Sequence, residues 1–513
     1  MLKPQFQIKK SVLLIGLASS TTSAAKLLDF CESGLTFSYF DDRIVESSLF
    51  PFVSLDNIQS SSLSFAMAIL SPGVPLSHPI VSQLLSLQIP IFSEIEVGMW
   101  YLPHSSQVIG ITGSNGKSTC THFLAQLIQF SQRNALSCGN IGTPFTEAVL
   151  ETLTQKEKHP NPIFCIELSS YQLETTFSSK IDYGILLNLQ EDHLQRYGTL
   201  EHYLKAKWKL TQLLTPNGVC IIDSSTTSYA LKLGLNLVSE QIEVLDCSGQ
   251  KLDDSRPSPE FANHLKDWLK MPMCYQSLNL LQQKNLEPFW SYQVHFSQTL
   301  ENHQFEIFDI KNQRKLFIDN CVLPGSHNAQ NLSFAICIAQ KLGISNQTTS
   351  KFCHKETSSY LPLAHRLEPV FPSIDSERTQ NLRFINDSKA TNVSSCLVAA
   401  KTLNPSTPCC FLVGGKSKHE LFYPLFRELE EKNVHLFLFG EASEEISSQL
   451  KEFEVKKPIK YSCFQTLQMT LEFLRLDLPK SGTILLSPGC ASFDEFKNFE
   501  HRGHFFRSWA QNL

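Results

Sequence analysis

The chain has 513 residues, roughly three times the ~150-residue span of one domain, so two to four compact units are expected. A peptide hormone, a single binding module and a disulfide knot are excluded. Its 44 Lys and Arg against 49 Asp and Glu leave a net charge of −5, which gives no global attraction to nucleic acid or to an acidic membrane, so any phosphate must be held locally. Charged residues at 18% and hydrophobic ones at 42%, with 22 Gly and 25 Pro, fit ordered globular domains, and 15 cysteines without a CxxC pair read as reduced cytosolic thiols.

In chain order, the first feature has two readings. Lys9-Lys10, the apolar stretch 11–18 and small residues to Ala25 have the outline of a secretory signal peptide. The same residues also read as a buried strand at 12–15, a turn at Gly16 and a helix opening near Ser19 to Ser23, the start of a nucleotide-binding βαβ unit. No stretch reaches the ~18–20 apolar residues that span a membrane. Short apolar runs then alternate with helical periodicity. Runs at 12–15, 65–70, 108–112, 163–166, 183–187, 219–222, 409–413, 436–439 and 483–486 predict α/β units with mostly parallel sheets. Cys409 and Cys410 lie in one of these runs and read as strand packing. Residues 224–320 are less regular, and alternation such as Phe305-Glu306-Ile307-Phe308 predicts antiparallel strands and insertions there. Breaks at Leu102-Pro103-His104 and Tyr360-Leu361-Pro362-Leu363 divide the chain into three domains, 1–103, 104–362 and 363–513.

The strongest local signal is Gly110-Ile111-Thr112-Gly113-Ser114-Asn115-Gly116-Lys117-Ser118-Thr119. It follows an apolar strand and precedes a helix whose Phe123, Leu124, Leu127 and Ile128 share one face. In that order, backbone N–H groups and the helix N-terminus can surround phosphate oxygens, Lys117 can reach terminal phosphates and Ser118 can ligate magnesium. Ile111 occupies the first glycine position of the usual phosphate-loop template. Two polar clusters follow predicted strand ends, where open α/β sheets bind ligands: Glu167-Leu168-Ser169-Ser170 and Asn188-Leu189-Gln190-Glu191-Asp192-His193. Glu167, His193 and Ser118 could together hold magnesium.

These blocks, with Glu167 continuing through Tyr171-Gln172-Leu173-Glu174, occur in the order that resembles the Mur ligase superfamily, the ATP-dependent amide-forming enzymes of peptidoglycan precursor synthesis and their folylpolyglutamate synthase relatives. The resemblance continues through Gly325-Ser326-His327-Asn328, His365-Arg366-Leu367-Glu368, Asp387-Ser388-Lys389-Ala390-Thr391-Asn392, Gly414-Gly415-Lys416-Ser417-Lys418 and the block from Ser487 to Gly503. The Asp387 and Ser492-to-Gly503 blocks resemble the branch that adds D-glutamate to UDP-N-acetylmuramoyl-L-alanine. The Asp-Asn-Pro-Arg motif expected of the diaminopimelate- or lysine-adding branch is missing. The fold implied is α/β with three domains: a Rossmann-like UDP-binding domain, a central P-loop ATPase with a mostly parallel sheet, and a Rossmann-like C-terminal domain that brings the amino acid. On this resemblance the N-terminal run is the first strand.

The resemblance also implies roles. Gly113, Ser114, Asn115, Gly116, Lys117, Ser118 and Thr119 hold ATP phosphates. Asn328 and Asn331, three apart at the start of a helix, lie at or near adenine, although capping also suits Asn328. Arg366 and Asp387 contact the phosphates and ribose. Ser19, Ser20, Asp42, Arg43, Ser71, Gly73 and Asn140 bind the UDP-substrate, with only the first glycine of the expected Gly16 turn retained. Thr391, Lys418, Ser492 and Phe499 bind D-glutamate, Phe493 lines its pocket, and Lys389 lies nearby toward phosphate. Lys207 matches a lysine that is carbamylated in the family, although flanking Lys205 and Lys209 alone suggest a solvated face. One magnesium falls to Ser118 and Glu167 and a second to His193 and carbamylated Lys207. His193 is a candidate base only if it is not a ligand. The expectation is therefore a cytoplasmic, monomeric, ATP- and Mg2+-dependent ligase acting on small molecules, with no nucleic-acid partner and no membrane span. Its rivals are a related ligase with another amino acid or acceptor, and an exported binding protein.

Overall fold

The computed structural model describes residues 10–42, 49–59, 65–190, 192, 194–235, 241–247, 290–298, 303–310, 312, 314–319, 321–323, 326–360, 363–373, 378–453 and 458–513. Residues 1–360 form one compact unit and 361–513 a second. Among the described residues no helix is long and apolar enough to cross a membrane, and no cysteine forms a disulfide.

The first unit contains two sheets. Strands β1 (Ser11–Ile15), β2 (Thr36–Phe40), β3 (Phe65–Leu70) and β4 (Ile91–Ser93) pair in parallel in the order β2-β1-β3-β4. Val12 to Ile15 are fully buried, as a strand covered on both faces requires, so the run with the outline of a signal peptide is an interior strand. Gly16 ends it with φ at 78°, and an added Cβ would press on Ser71, so the turn depends on glycine there.

The second sheet joins β5 (Gln107–Thr112), β6 (Ala135–Gly139), β7 (Ile163–Glu167), β8 (Ile181–Leu186), β9 (Leu214–Asp223), β10 (Ile242–Asp246), β11 (Trp290–Gln298), β12 (His303–Asp309) and β13 (Arg314–Ile318). Its order is β13-β12-β11-β10-β9-β8-β5-β7-β6, parallel from β6 to β11 and antiparallel through β12 and β13. Of the antiparallel strands expected within 224–320, β11, β12 and β13 pair in that way, β10 joins in parallel, and residues 248–289 lie outside the described residues. Ile109 and Ile111 of β5 pack with Phe123, Leu124, Leu127 and Ile128 of the helix Lys117–Phe130. Val108 faces the other way, into a core shared with Val12 and Leu14 of the first sheet and Leu27 of the helix Ser19–Cys31. That shared core fixes both sheets' carboxyl ends within one body.

The second unit has β14 (Glu368–Val370), β15 (Leu382–Asn386), β16 (Cys409–Gly414), β17 (Val434–Phe439), β18 (Lys460–Phe464) and β19 (Gly482–Gly489) in the order β14-β15-β19-β16-β17-β18. Only β14 runs antiparallel to its neighbour, and β19 is buried along its whole length. Cys409 packs inside β16 as expected.

Candidate functional site

In the first unit β5 leads through Gly113 to Gly116 into the helix Lys117–Phe130, whose first N–H groups carry partial positive charge toward an anion. Gly116 caps that helix with φ at 83°, and an added Cβ would collide with the Asn331 amide. Asn331, from the helix Ser326–Lys341, therefore lies against the phosphate loop, with Asn328 buried one turn earlier. The strand end after β8 braces the loop: Asn188 Oδ1 accepts from Asn115 N at 2.9 Å and its Nδ2 donates to Asn115 O at 3.1 Å. Ser114 Oγ donates to Gln190 O at 3.1 Å, and Asn115 Nδ2 to Gln190 Oε1 at 2.8 Å. Ser118 is buried in the first helical turn, beside Thr119.

Lys117 Nζ donates to Gly113 O at 2.9 Å and to Ser114 O at 2.8 Å. Lys207 Nζ, from the helix Leu200–Trp208, donates to the same Gly113 O at 2.8 Å. Lys207 is 1% exposed, so the solvated-face reading fails: Lys205 pairs with Glu201 at the surface while Lys207 turns inward. Burial and then the neighbouring Lys117 charge push Lys207 well below the usual lysine range, against the opposing fields of Asp192 and Glu167. Its ammonium lies 4.4 Å from the centre of the Tyr203 ring. Sequence reasoning missed Tyr203, though it sits four residues before Lys207 on one helix face.

Glu167 ends β7 at 2% exposure. Its Oε1 accepts from Asn140 Nδ2 at 3.0 Å, while its Oε2 is buried without a hydrogen-bond partner. A buried carboxylate oxygen in need of a partner, beside a phosphate loop with a buried serine, fits a hard cation. Among the described residues no three His, Cys, Asp or Glu side chains form a metal cluster, and His193 lies outside the described residues.

At the carboxyl ends of β1 and β3, Ser19 and Ser20 open the helix Ser19–Cys31, Ser71 is buried and Gly73 is exposed. Asp42 Oδ2 is 3.0 Å from His78 Nε2, and Arg43 lies outside the described residues. The altered glycine turn is secured by Thr21, whose Oγ1 donates to Gly16 O at 2.7 Å, another contact the sequence reading did not anticipate.

In the second unit Arg366 stands between His365 (φ 62°) and Leu367 (φ 43°). Asp387 holds this turn by accepting from Leu367 N at 3.2 Å and from Ser487 Oγ at 2.7 Å, and burial pushes its carboxyl up to about 7. Lys389 Nζ lies 3.9 Å over the Phe499 ring, and Lys418 Nζ donates to Thr391 O at 2.8 Å. Ser492 is buried and Phe493 is 68% exposed, so Phe493 is no core aromatic. Arg502, given no role from sequence, is buried and joins these segments: Nη2 donates to Ser388 O at 2.9 Å and Nη1 to Ala491 O at 3.2 Å. Burial lowers its pKa only to about 10, so it stays charged at neutral pH.

The chain is similar to known proteins in sequence and in fold. The Mur ligase middle domain profile matches residues 111–254. The chain is 30% identical over 492 residues to the UDP-N-acetylmuramoylalanine–D-glutamate ligase of Leptospira interrogans, covering 92% of this chain and 90% of that protein. It is 31% identical over 444 residues to the ligase of the same name from Prochlorococcus marinus, covering 86% and 81%. Its fold matches the UDP-N-acetylmuramate-alanine ligase of Thermotoga maritima with a TM-score of 0.56 at 15% identity, over 97% of this chain and 98% of that one.

Proposed function

The chain belongs to the Mur ligase family, in the branch of UDP-N-acetylmuramoylalanine–D-glutamate ligases, and on that premise we propose how its residues divide the work. It is an ATP-dependent ligase that forms the amide between the L-alanyl carboxylate of UDP-N-acetylmuramoyl-L-alanine and D-glutamate in peptidoglycan precursor synthesis. The proposed division is UDP-substrate binding by 1–103, ATP binding by 104–362 and amino-acid binding by 363–513. A cytoplasmic monomer is part of the same proposal.

The reaction begins with two anions, because the alanyl carboxylate must attack the γ-phosphorus of ATP. ADP leaves and an acyl phosphate forms. The amine of D-glutamate then attacks the acyl carbon, and the tetrahedral intermediate collapses to amide and inorganic phosphate with loss of the amine proton. Positioning and positive charge are what the protein must supply. One observation carries the assignment: Lys117 and Lys207 converge on Gly113 O in the phosphate loop. In this reading Gly113 to Thr119 cradle the phosphates, and Lys117 leaves its resting carbonyls to neutralise charge on the transferred group. Asn328, Asn331, Arg366 and Asp387 bind the rest of the nucleotide.

Magnesium fits this donor set, with Ser118 and Glu167 as ligands of one ion and His193 and carbamylated Lys207 of another; when bound, it supplies charge to the phosphate oxygens. The lowered proton affinity of Lys207 favours the free amine, which adds CO2 and releases a proton to give the carbamate. Ser19, Ser20, Asp42, Arg43, Ser71, Gly73 and Asn140 are proposed to bind the UDP-substrate. Thr391, Lys418, Ser492, Phe493 and Phe499 are proposed to bind D-glutamate, whose two carboxylates suit the Lys418 cation.

The test is phosphate release with ATP, magnesium and UDP-N-acetylmuramoyl-L-alanine, comparing D-glutamate with L-glutamate, lysine and diaminopimelate. Release that requires D-glutamate, with the matching product mass, is expected. Turnover only with another amino acid would overturn the substrate assignment.

A further inference from the structure

The Ser71-Pro72-Gly73 turn has one backbone donor to offer a ligand. Ser71 N donates to Ile15 O at 2.8 Å and Val74 N closes the turn on Ser71 O at 3.0 Å. Pro72 has no N–H. The Gly73 N–H is left, and it shares a planar trans peptide unit with the Pro72 carbonyl, so the two groups point in opposite directions. Whatever grips Pro72 O therefore aims Gly73 N–H. Arg196 does so: its Nη1 donates to Pro72 O at 3.1 Å.

Arg196 is itself held on two further sides. Its Nη2 donates to Glu174 Oε2 at 2.6 Å, with both side chains 15% exposed. Its guanidinium carbon lies 3.9 Å from the centre of the Tyr171 ring, which stacks on Tyr197. The ion pair and the ring fix the guanidinium plane, so the hydrogen bond to Pro72 O has little freedom to swing. A cation on the carbonyl side also polarises the peptide and strengthens its N–H as a donor.

We propose that Arg196 is a positioning residue for the UDP-substrate, aiming and polarising the Pro72–Gly73 peptide so that Gly73 N–H donates to an anionic or carbonyl oxygen of that ligand. This rests on the reading above that the Ser71–Gly73 turn meets the UDP-substrate. It adds a role for a residue carried by the segment just beyond His193, outside the UDP-binding sheet.

The test is calorimetric titration of the full chain with UDP-N-acetylmuramoyl-L-alanine without ATP, and separately with ADP, for the wild type, Arg196→Met, Arg196→Lys and Gly73→Val. Arg196→Met should weaken the UDP-substrate about tenfold and leave ADP within about twofold, and Arg196→Lys, which keeps a cation, should recover part of the loss. In turnover assays KM for the UDP-substrate should rise while kcat changes less than about threefold. A Cβ at Gly73 meets nothing in the protein closer than Ser71 Oγ at 3.9 Å, so Gly73→Val should fold and obstruct only the ligand. If Gly73→Val weakens binding but Arg196→Met does not, or weakens ADP equally, the role of Arg196 is overturned and the turn's assignment stands. If Gly73→Val leaves affinity intact, the turn's assignment falls and the proposal with it.

Discussion

Replacing Lys207 by methionine should make the protein more stable and inactive. The side chain is 1% exposed and its ammonium keeps one hydrogen bond, to Gly113 O, and one aromatic face, Tyr203. Methionine gives up about 1.5 kcal/mol for the charged hydrogen bond and about 1 kcal/mol for the ring contact, but removes several kcal/mol of charge burial beside Lys117. The net gain is about 1–3 kcal/mol, and each kcal/mol moves Tm by roughly 1–2 °C in a unit of this size. The gain depends on pH in a fixed direction. A lysine whose proton affinity is lowered by folding destabilises the folded state most when both states are protonated. That cost disappears as pH approaches the free lysine value of about 10.4. Thermal unfolding from pH 6 to 10, without metal and in CO2-depleted buffer, should show the methionine variant's advantage shrinking as pH rises. Phosphate release should fall by at least about 10³-fold, and bicarbonate with magnesium should raise the wild-type Tm alone. A variant less stable than wild type across that range, or a gap independent of pH, would refute the buried-cation argument. Retained turnover would remove Lys207 from the site.

Two other substitutions test neighbouring claims. Lys117→Ala should lower ADP-forming turnover by about 10³-fold or more while shifting UDP-substrate affinity less than about threefold, because its hydrogen bonds to Gly113 O and Ser114 O place the ammonium at the phosphate loop. Glu94, buried beside Thr146 with Oε2 unpartnered, is pushed up to about 7 by burial, so it stabilises the folded state below its unfolded range near 4.5 and loses that contribution as pH rises through 7. Glu94→Gln should therefore gain up to ~3 kcal/mol relative to wild type between pH 4.5 and 8 in urea titrations, and a pH-independent difference would contradict it.

The strands legible in the sequence are those covered on both faces. β1 carries the apolar run 12–15 and β19 the run 484–486 because parallel interior strands meet hydrophobic layers above and below. The strands not legible in the sequence include β2, β6 and β18, which sit at sheet edges, are partly exposed and carry Thr36, Ser137 and Lys460 where an interior strand would be apolar. The phosphate loop was readable because its chemistry is local, with glycines, lysine and serine in one contiguous run. The depth of Lys207 was not, since what it meets, Gly113, is 94 positions away in sequence. Arg502 escaped for the same reason: its acceptors at Ser388 and Ala491 belong to other strand ends.

The distribution of thiols has a practical consequence. Most described cysteines are packed as small hydrophobes, and burial pushes thiols such as Cys120, Cys165 and Cys220 away from the reactive thiolate. Among the described residues Cys463, on the edge strand β18, alone is exposed. Cys463 is thus an attachment point for a maleimide dye on the second unit. A dye attached there would report on the surroundings of the edge strand β18.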